Sequence, residues 1–195
     1  TILSKLYHWK IYVVGSVEYQ YPNHLFQAGY FLDKKYYDEN TIDFKHLLLS
    51  EKNQSLLKDI QNSNSVGVHI RRGDYMTKQN LVIFGNICTQ KYYHDAIRII
   101  TEKVNDAVFY VFSDDISWVQ THLDIPNAVY VNWNTGESSI YDMYLMSSCK
   151  YNIIANSTFS YWAARLNKKT NMVIYPSKWY NTFTPDIFPE SWCGI

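Results

Sequence analysis

The chain lacks net charge: 18 lysines and arginines balance 18 aspartates and glutamates, and no long basic run occurs. With that balance nothing suggests a sequence-independent nucleic-acid surface, which needs cations clustered on one face. No apolar run approaches the roughly 20 residues of a membrane span. The opening residues T-I-L-S-K-L-Y-H-W-K lack a signal peptide's continuous apolar core and small-residue cleavage site. Cysteine is scarce and odd in number. Cys88, Cys149 and Cys193 show no C-x-x-C or Cys/His metal spacing, so they read as reduced thiols of a cytoplasmic protein. No segment repeats another. An initiator methionine is also missing, which points to a fragment or a processed chain.

What remains is 195 residues, enough for one well-packed domain or one domain with part of a second. Eighteen tyrosines and six tryptophans suit either a carbohydrate binder, whose rings stack on sugar faces, or an ordinary aromatic core. From Val66 onward, strand and helix patterns alternate. Strands are expected at Val66–Ile70, Val108–Phe112, Ala128–Trp133, Tyr151–Ala155 and Met172–Tyr175. Helices are expected at Thr89–Val104, from Ser113-Asp114-Asp115 to about Leu123, and at Ser138–Cys149 and Thr158–Asn167. Such alternation predicts an α/β fold with a mostly parallel sheet. Residues 1–62 are less regular: Ile11–Val14 is strand-like, Leu47–Ile60 fits an amphipathic helix, and the aromatic segment Ala28–Asp38 fits either. Gln61 to Ser65 reads as a polar linker.

The most informative stretch is V-G-V-H-I-R-R-G-D-Y, Val66 to Tyr75. Val66, Val68 and Ile70 share one face of a strand and Gly67 and His69 the other, so Arg71, Arg72 and Asp74 emerge where the strand stops. Open α/β sheets bind ligands there. An arginine fork matches two phosphate oxygens, and Asp74 is near enough to orient one guanidinium. The bland alternative is a surface ion pair.

Three further clusters fall after strands or at helix starts. Ser113, Asp114 and Asp115 can serve ribose hydroxyls, an arginine, a metal or a helix cap. Asn156, Ser157, Thr158, Phe159 and Ser160 (with Ala155 before them) offer hydroxyls and unpaired N–H groups at a helix start. That is an anion site or an N-cap. Asp142 can accept from guanine's N1–H and exocyclic amine, or simply balance charge at a helix N-terminus.

Taken together, H-I-R-R-G-D-Y (His69–Tyr75), F-G-N-I-C-T-Q-K-Y-Y (Phe84–Tyr93), F-S-D-D-I-S-W (Phe112–Trp118), the run from Asp142 to Trp162 and P-S-K-W-Y-N (Pro176–Asn181) resemble the α-1,2-fucosyltransferases of glycosyltransferase family 11, the bacterial branch in particular. The resemblance spans roughly Gly29 to Asn181. It implies the GDP-sugar-binding, Rossmann-like half of a GT-B fold at 63–195, preceded by a remnant of an acceptor-side region and linker at 1–62. It also implies GDP-L-fucose as donor, no metal or other cofactor, and a galactose-terminated glycan or glycolipid as acceptor. The place of action would be the cytoplasm or, by peripheral association, the inner face of the membrane. Arg71 would grip the β-phosphate with Arg72 and Asp74 in support. His69 and Asp142 would face the guanosine, and Ser157 to Ser160 the pyrophosphate. Two departures from the family pattern stand out. The glycine-rich G-x-x-G-N-Q motif is absent, so much of the acceptor half is expected to be missing. The family's W-W-G-A-W is replaced by Tyr161-Trp162-Ala163-Ala164-Arg165.

Overall fold

A computed structural model describes the backbone of residues 12–14 and 26–28, and residues 43–195 in full. The chain divides into two compact units, Thr1–Thr41 with Pro185–Ile187, and Ile42–Thr184 with Phe188–Ile195. In the first, strand β1 (Tyr12–Val14) pairs in parallel with β2 (Phe26–Ala28). Of the aromatic segment beginning at Ala28, the residues beyond Ala28 lie outside those described.

The second unit carries the sheet. In chain order it runs α1 (Glu51–Asn62), β3 (Asn64–Ile70), a 3-10 turn (Gly73–Met76), α2 (Lys78–Phe84), α3 (Gln90–Lys103), β4 (Ala107–Ser113), α4 (Ile116–His122) and β5 (Ala128–Val131). A second 3-10 turn (Gly136–Ser138) leads into α5 (Ser139–Ser147), β6 (Tyr151–Ile153), α6 (Thr158–Arg165), β7 (Met172–Tyr175) and β8 (Cys193–Gly194). The six strands β3 to β8 are all parallel, in the order β5-β4-β3-β6-β7-β8. The expected parallel α/β sheet is therefore present.

Strand residues alternate between two cores because successive side chains leave opposite faces. Val66, Val68, Ile70, Phe109 and Val111 pack with Tyr92, Tyr93, Ala96, Ile97 and Ile100 of α3 and Val119 of α4. Tyr110 and Phe112 pack on the other side with Leu56 and Ile60 of α1, Leu145 and Met146 of α5, and Ala163 and Ala164 of α6. Each fully buried aliphatic chain here contributes roughly 1.5–3 kcal/mol. Gly67 is required by close packing: a Cβ there would lie 2.9 Å from Asn152 Nδ2 and 3.0 Å from Met146 Cγ.

Several boundaries differ from the sequence reading. No linker separates α1 from β3; only Ser63 intervenes, and its hydroxyl lies 3.1 Å from Tyr110 Oη, seating it on the sheet. Helix α1 thus belongs to the compact unit that holds the sheet. Strands β5 and β6 stop two residues short of expectation. Helix α2 and strand β8 have no counterpart in the expected pattern. Ala163, where the resemblance implies glycine, is buried in the core against the sheet.

Strand β3 is central. The chain leaves it for β4 and β5 on one side, then returns to β6 on the other, so the order reverses between β3 and β6. A reversal of this kind opens a crevice at the carboxyl ends of the two strands. Arg71 leaves the first of those ends and Ala155 to Thr158 leave the second.

Candidate active site

Arg71 is held on both amino groups: Nη1 donates to Asp114 Oδ2 and Nη2 to Asp74 Oδ1, each at 2.6 Å. Two carboxylates from different segments fix the guanidinium plane more firmly than one could. Arg72 donates from Nε to Asp115 Oδ2 at 3.1 Å, lies 3.6 Å above the Trp118 ring, and donates its backbone N–H to Asp114 Oδ1 at 2.9 Å. Asp115 also caps α4 through Trp118 N at 3.1 Å, and this capping together with Arg72 lowers its pKa from the ordinary carboxylate value. Arginine support and helix capping, two of the uses open from sequence, thus coexist in one Asp-Asp pair. Ser113 accepts from Asp115 N and shapes the turn.

Gly73 makes this cluster possible. A Cβ there would sit 2.5 Å from Asp114 Oδ2, the acceptor for Arg71. The R-R-G-D spacing carried that signal, which a reading centred on charged residues passes over.

The β6 end contributes differently from expectation. Asn156 is buried, its Nδ2 donating to the carbonyls of Phe84 and Trp179 at 3.2 and 3.1 Å, while its own carbonyl accepts from Tyr75 Oη at 2.9 Å. Ser160 is fully buried, its hydroxyl accepting from Ala155 N and donating back to backbone carbonyls. Both side chains expected to meet a ligand are instead consumed inside the fold, because each closes the turn that ends β6. Ser157 and Thr158 remain at the start of α6, where no side chain caps the helix. The first N–H groups of a helix have no intrahelical acceptor, so this end can receive an anion.

His69 is 5% exposed, rests against Phe159 with ring centres 5.0 Å apart, and its Nδ1 has no hydrogen-bond partner. Burial, with the Arg71 charge beside it, lowers its pKa to about 3, so the imidazole is neutral. Tyr93 Oη donates to the His69 carbonyl at 3.1 Å and steadies the strand end before Arg71. Asp142 lies in the first turn of α5, is 9% exposed, and accepts from Asn134 Nδ2 at 2.6 Å. Burial raises its pKa to about 7. It makes no hydrogen bond to the arginine cluster.

Beside the arginines, a cavity of about 260 Å³ is bordered by Arg71, Arg72, Tyr75, Phe84, Trp118 and Asn156 among others. Tyr75 and Phe84 stack at 4.5 Å along one wall.

The profile described as "Glycosyl transferase family 11" matches residues 8–195. The chain belongs to glycosyltransferase family 11. Among family relatives, an alpha-1,2-colitosyltransferase of Escherichia coli is 35% identical over 93% of this chain and 63% of its own length. The O-antigen biosynthesis glycosyltransferase WbnK of Escherichia coli is 44% identical over 62% of this chain and 40% of its own. Galactoside alpha-(1,2)-fucosyltransferase 2 of Pongo pygmaeus is 28% identical over 77% and 48%. The chain thus spans less than two thirds of each of these relatives. A crystal structure of the fucosyltransferase NodZ from Bradyrhizobium overlaps 58% of this chain and 39% of its own at TM-score 0.41 and 18% identity. That likeness is too slight to argue from, and the family assignment rests on the sequence matches.

Proposed function

We propose that this chain carries the donor-binding half of an inverting glycosyltransferase of GT-B architecture. In this reading the 2-hydroxyl of a terminal galactoside attacks C1 of GDP-β-L-fucose, the C1–O bond to the β-phosphate breaks, and GDP leaves behind an α-1,2 linkage. The observation that carries the reading is the Arg71 guanidinium, held by Asp74 and Asp114 at the β3/β6 switch point beside the uncapped start of α6. Negative charge grows on the β-phosphate as the bond breaks, so donors fixed there favour the transition state over the bound substrate. Two arginines face three aspartates in this cluster. Phosphate would therefore be held by directed N–H donors and the α6 start more than by net positive charge. Arg72, with Asp115 and Trp118, supports the turn; His69 and Asp142 would face the guanosine. No metal is part of the scheme.

The reading is tested by titrating GDP calorimetrically against the wild type and Arg71→Ala. Loss of a charge-assisted bidentate contact is expected to cost roughly 2–4 kcal/mol, with transfer abolished in the complete enzyme. Arg71→Lys should rescue little, since an ammonium cannot reproduce the fork. Undiminished GDP affinity in Arg71→Ala would remove the arginine from this role, and GDP binding without transfer to any acceptor would mark a non-catalytic binding fragment.

One observation favours a second donor: the relative matched over 93% of this chain is named as a colitosyltransferase. Colitose is the 3-deoxy form of L-fucose, so donors carrying the two sugars on the same nucleotide would differ by one hydroxyl. Turnover of GDP-fucose against GDP-colitose separates them. The acceptor is a galactose-terminated glycan or glycolipid, and the place of action the cytoplasm or the inner face of a membrane. No helix among the described residues is long and apolar enough to cross one.

A further inference from the structure

Four polar side chains meet where α1, β5 and α5 converge at the carboxyl edge of the sheet. Asn53 lies in the first turn of α1, Trp133 and Asn134 follow β5, and Asp142 lies in the first turn of α5. Asn53 is 1% exposed, and it and Asn134 form a reciprocal amide pair, Nδ2 to Oδ1 at 3.0 Å in one direction and 3.1 Å in the other. Trp133 Nε1 donates to Asn53 Oδ1 at 2.7 Å. Asn134 Nδ2 also donates to Asp142 Oδ1 at 2.6 Å.

An indole N–H can only donate, so it determines which end of the Asn53 amide is oxygen. Asn53 must then turn its Nδ2 to Asn134 Oδ1, and Asn134 must turn its Nδ2 to Asp142. The polarity of Trp133 is passed through two amides to one carboxylate oxygen. Asp142 Oδ1 is thereby held as an acceptor, which restricts how the carboxylate can turn. Oδ2 makes no hydrogen bond among the described residues and is not sealed from solvent. Oδ1 is anchored in the protein by one hydrogen bond with a lone pair to spare, and Oδ2 is free, so both oxygens can still accept from a ligand.

We propose that Trp133, Asn53 and Asn134 form a positioning relay that holds Asp142 in the orientation needed to read guanine's N1–H and exocyclic amine together, and so set the nucleobase specificity of the site. The inference rests on the reading that Asp142 meets the base. Two parallel hydrogen bonds to a planar edge require a carboxylate already in plane; a freely turning one loses that geometry and the discrimination that comes with it.

The test compares GDP with IDP, whose hypoxanthine keeps N1–H and lacks the exocyclic amine. Both are titrated against the wild type, Asp142→Asn, Asn134→Leu and Trp133→Phe, with circular dichroism to follow the fold. Asn134→Leu is expected to weaken GDP roughly tenfold and IDP much less, so that the preference for GDP collapses. Trp133→Phe keeps an aromatic ring at this position while removing the Nε1 donor together with the fused five-membered ring, so it should shift the ratio in the same direction by less, and it decides the matter if Asn134→Leu fails to fold. Equal weakening of both nucleotides, or none, in the relay variants would overturn the relay while a lowered ratio in Asp142→Asn leaves the base contact standing. An unchanged ratio in Asp142→Asn overturns both, and a wild type that binds no GDP overturns the donor reading itself.

Discussion

At the scale of single residues, the arginine cluster depends on an atom that is not there. Gly73 places its backbone where any side chain would press on Asp114 Oδ2, the oxygen that accepts from Arg71. A Cβ at 2.5 Å from that oxygen forces either the 3-10 turn or Asp114 to move, and Asp114 also accepts the Arg72 backbone N–H. Gly73→Ala is therefore expected to weaken GDP by about tenfold, through loss of a fixed guanidinium, while the melting temperature falls only slightly, since the turn is exposed. Calorimetry beside a thermal melt checks this; a large stability loss with intact GDP affinity would show that the glycine serves the fold and not the site.

At the scale of elements, α2 is held by few apolar contacts. No residue of α2 is buried, and Val82 is 72% exposed. What ties it down is polar: Asn156 Nδ2 donates to the Phe84 carbonyl, and Asn181 donates from its backbone to the Ile83 carbonyl at 2.9 Å and from Nδ2 to the Val82 carbonyl at 3.0 Å. Asn156→Ala would leave the buried Trp179 carbonyl and the partly buried Phe84 carbonyl short of a donor, costing about 2 kcal/mol. Because the tie is local, hydrogen exchange should quicken at Lys78–Phe84 well before it changes in β3 or β4. Acceleration spread evenly over the sheet would contradict the assignment of Asn156 as the strap of α2.

At the scale of the whole molecule, two buried titratable groups pull stability in opposite directions. Asp142 is raised from the ordinary 3.8 to about 7, so its contribution is full below pH 3.8 and is lost as pH rises toward 7. His69 is lowered from 6.5 to about 3, so its contribution is present above pH 6.5 and is lost as pH falls toward 3. Between about pH 4 and 6.5 the two slopes oppose. Asp142→Asn removes one of them. The stability of the variant minus that of the wild type should therefore climb with pH across this window, by up to about 1.4 kcal/mol per pH unit, as read from urea midpoints. Parallel curves would mean that the carboxyl is not desolvated. Chelation tests the catalytic scheme at the same scale: after exhaustive dialysis with EDTA, transfer by the complete enzyme should persist. A loss restored by manganese or magnesium would recast Asp114 and Asp115 as metal ligands.

The sequence by itself determined the elements whose pattern is local and repeated. The alternation at Val66–Ile70 and the strand Met172–Tyr175 are where periodicity put them, and the parallel α/β class follows from the order of strands and helices. It also determined which strand end would carry the arginines, since R-R-x-D after a β-branched strand is readable without any partner. Only the tertiary structure decided what each polar group does. Asp114 and Asp115 reach Arg71 and Arg72 across more than 40 positions of chain, and the choice between cap, ion pair and ligand depends on that meeting. Asn156 and Ser160 look like ligand donors in a row of small polar residues. They prove to be bound to backbone because the turn after β6 is buried and its carbonyls and N–H groups must be satisfied from nearby. The Trp133–Asn53–Asn134–Asp142 chain was beyond sequence reading for the same reason. Its members are far apart in sequence, and only the fold brings them within hydrogen-bond reach of one another.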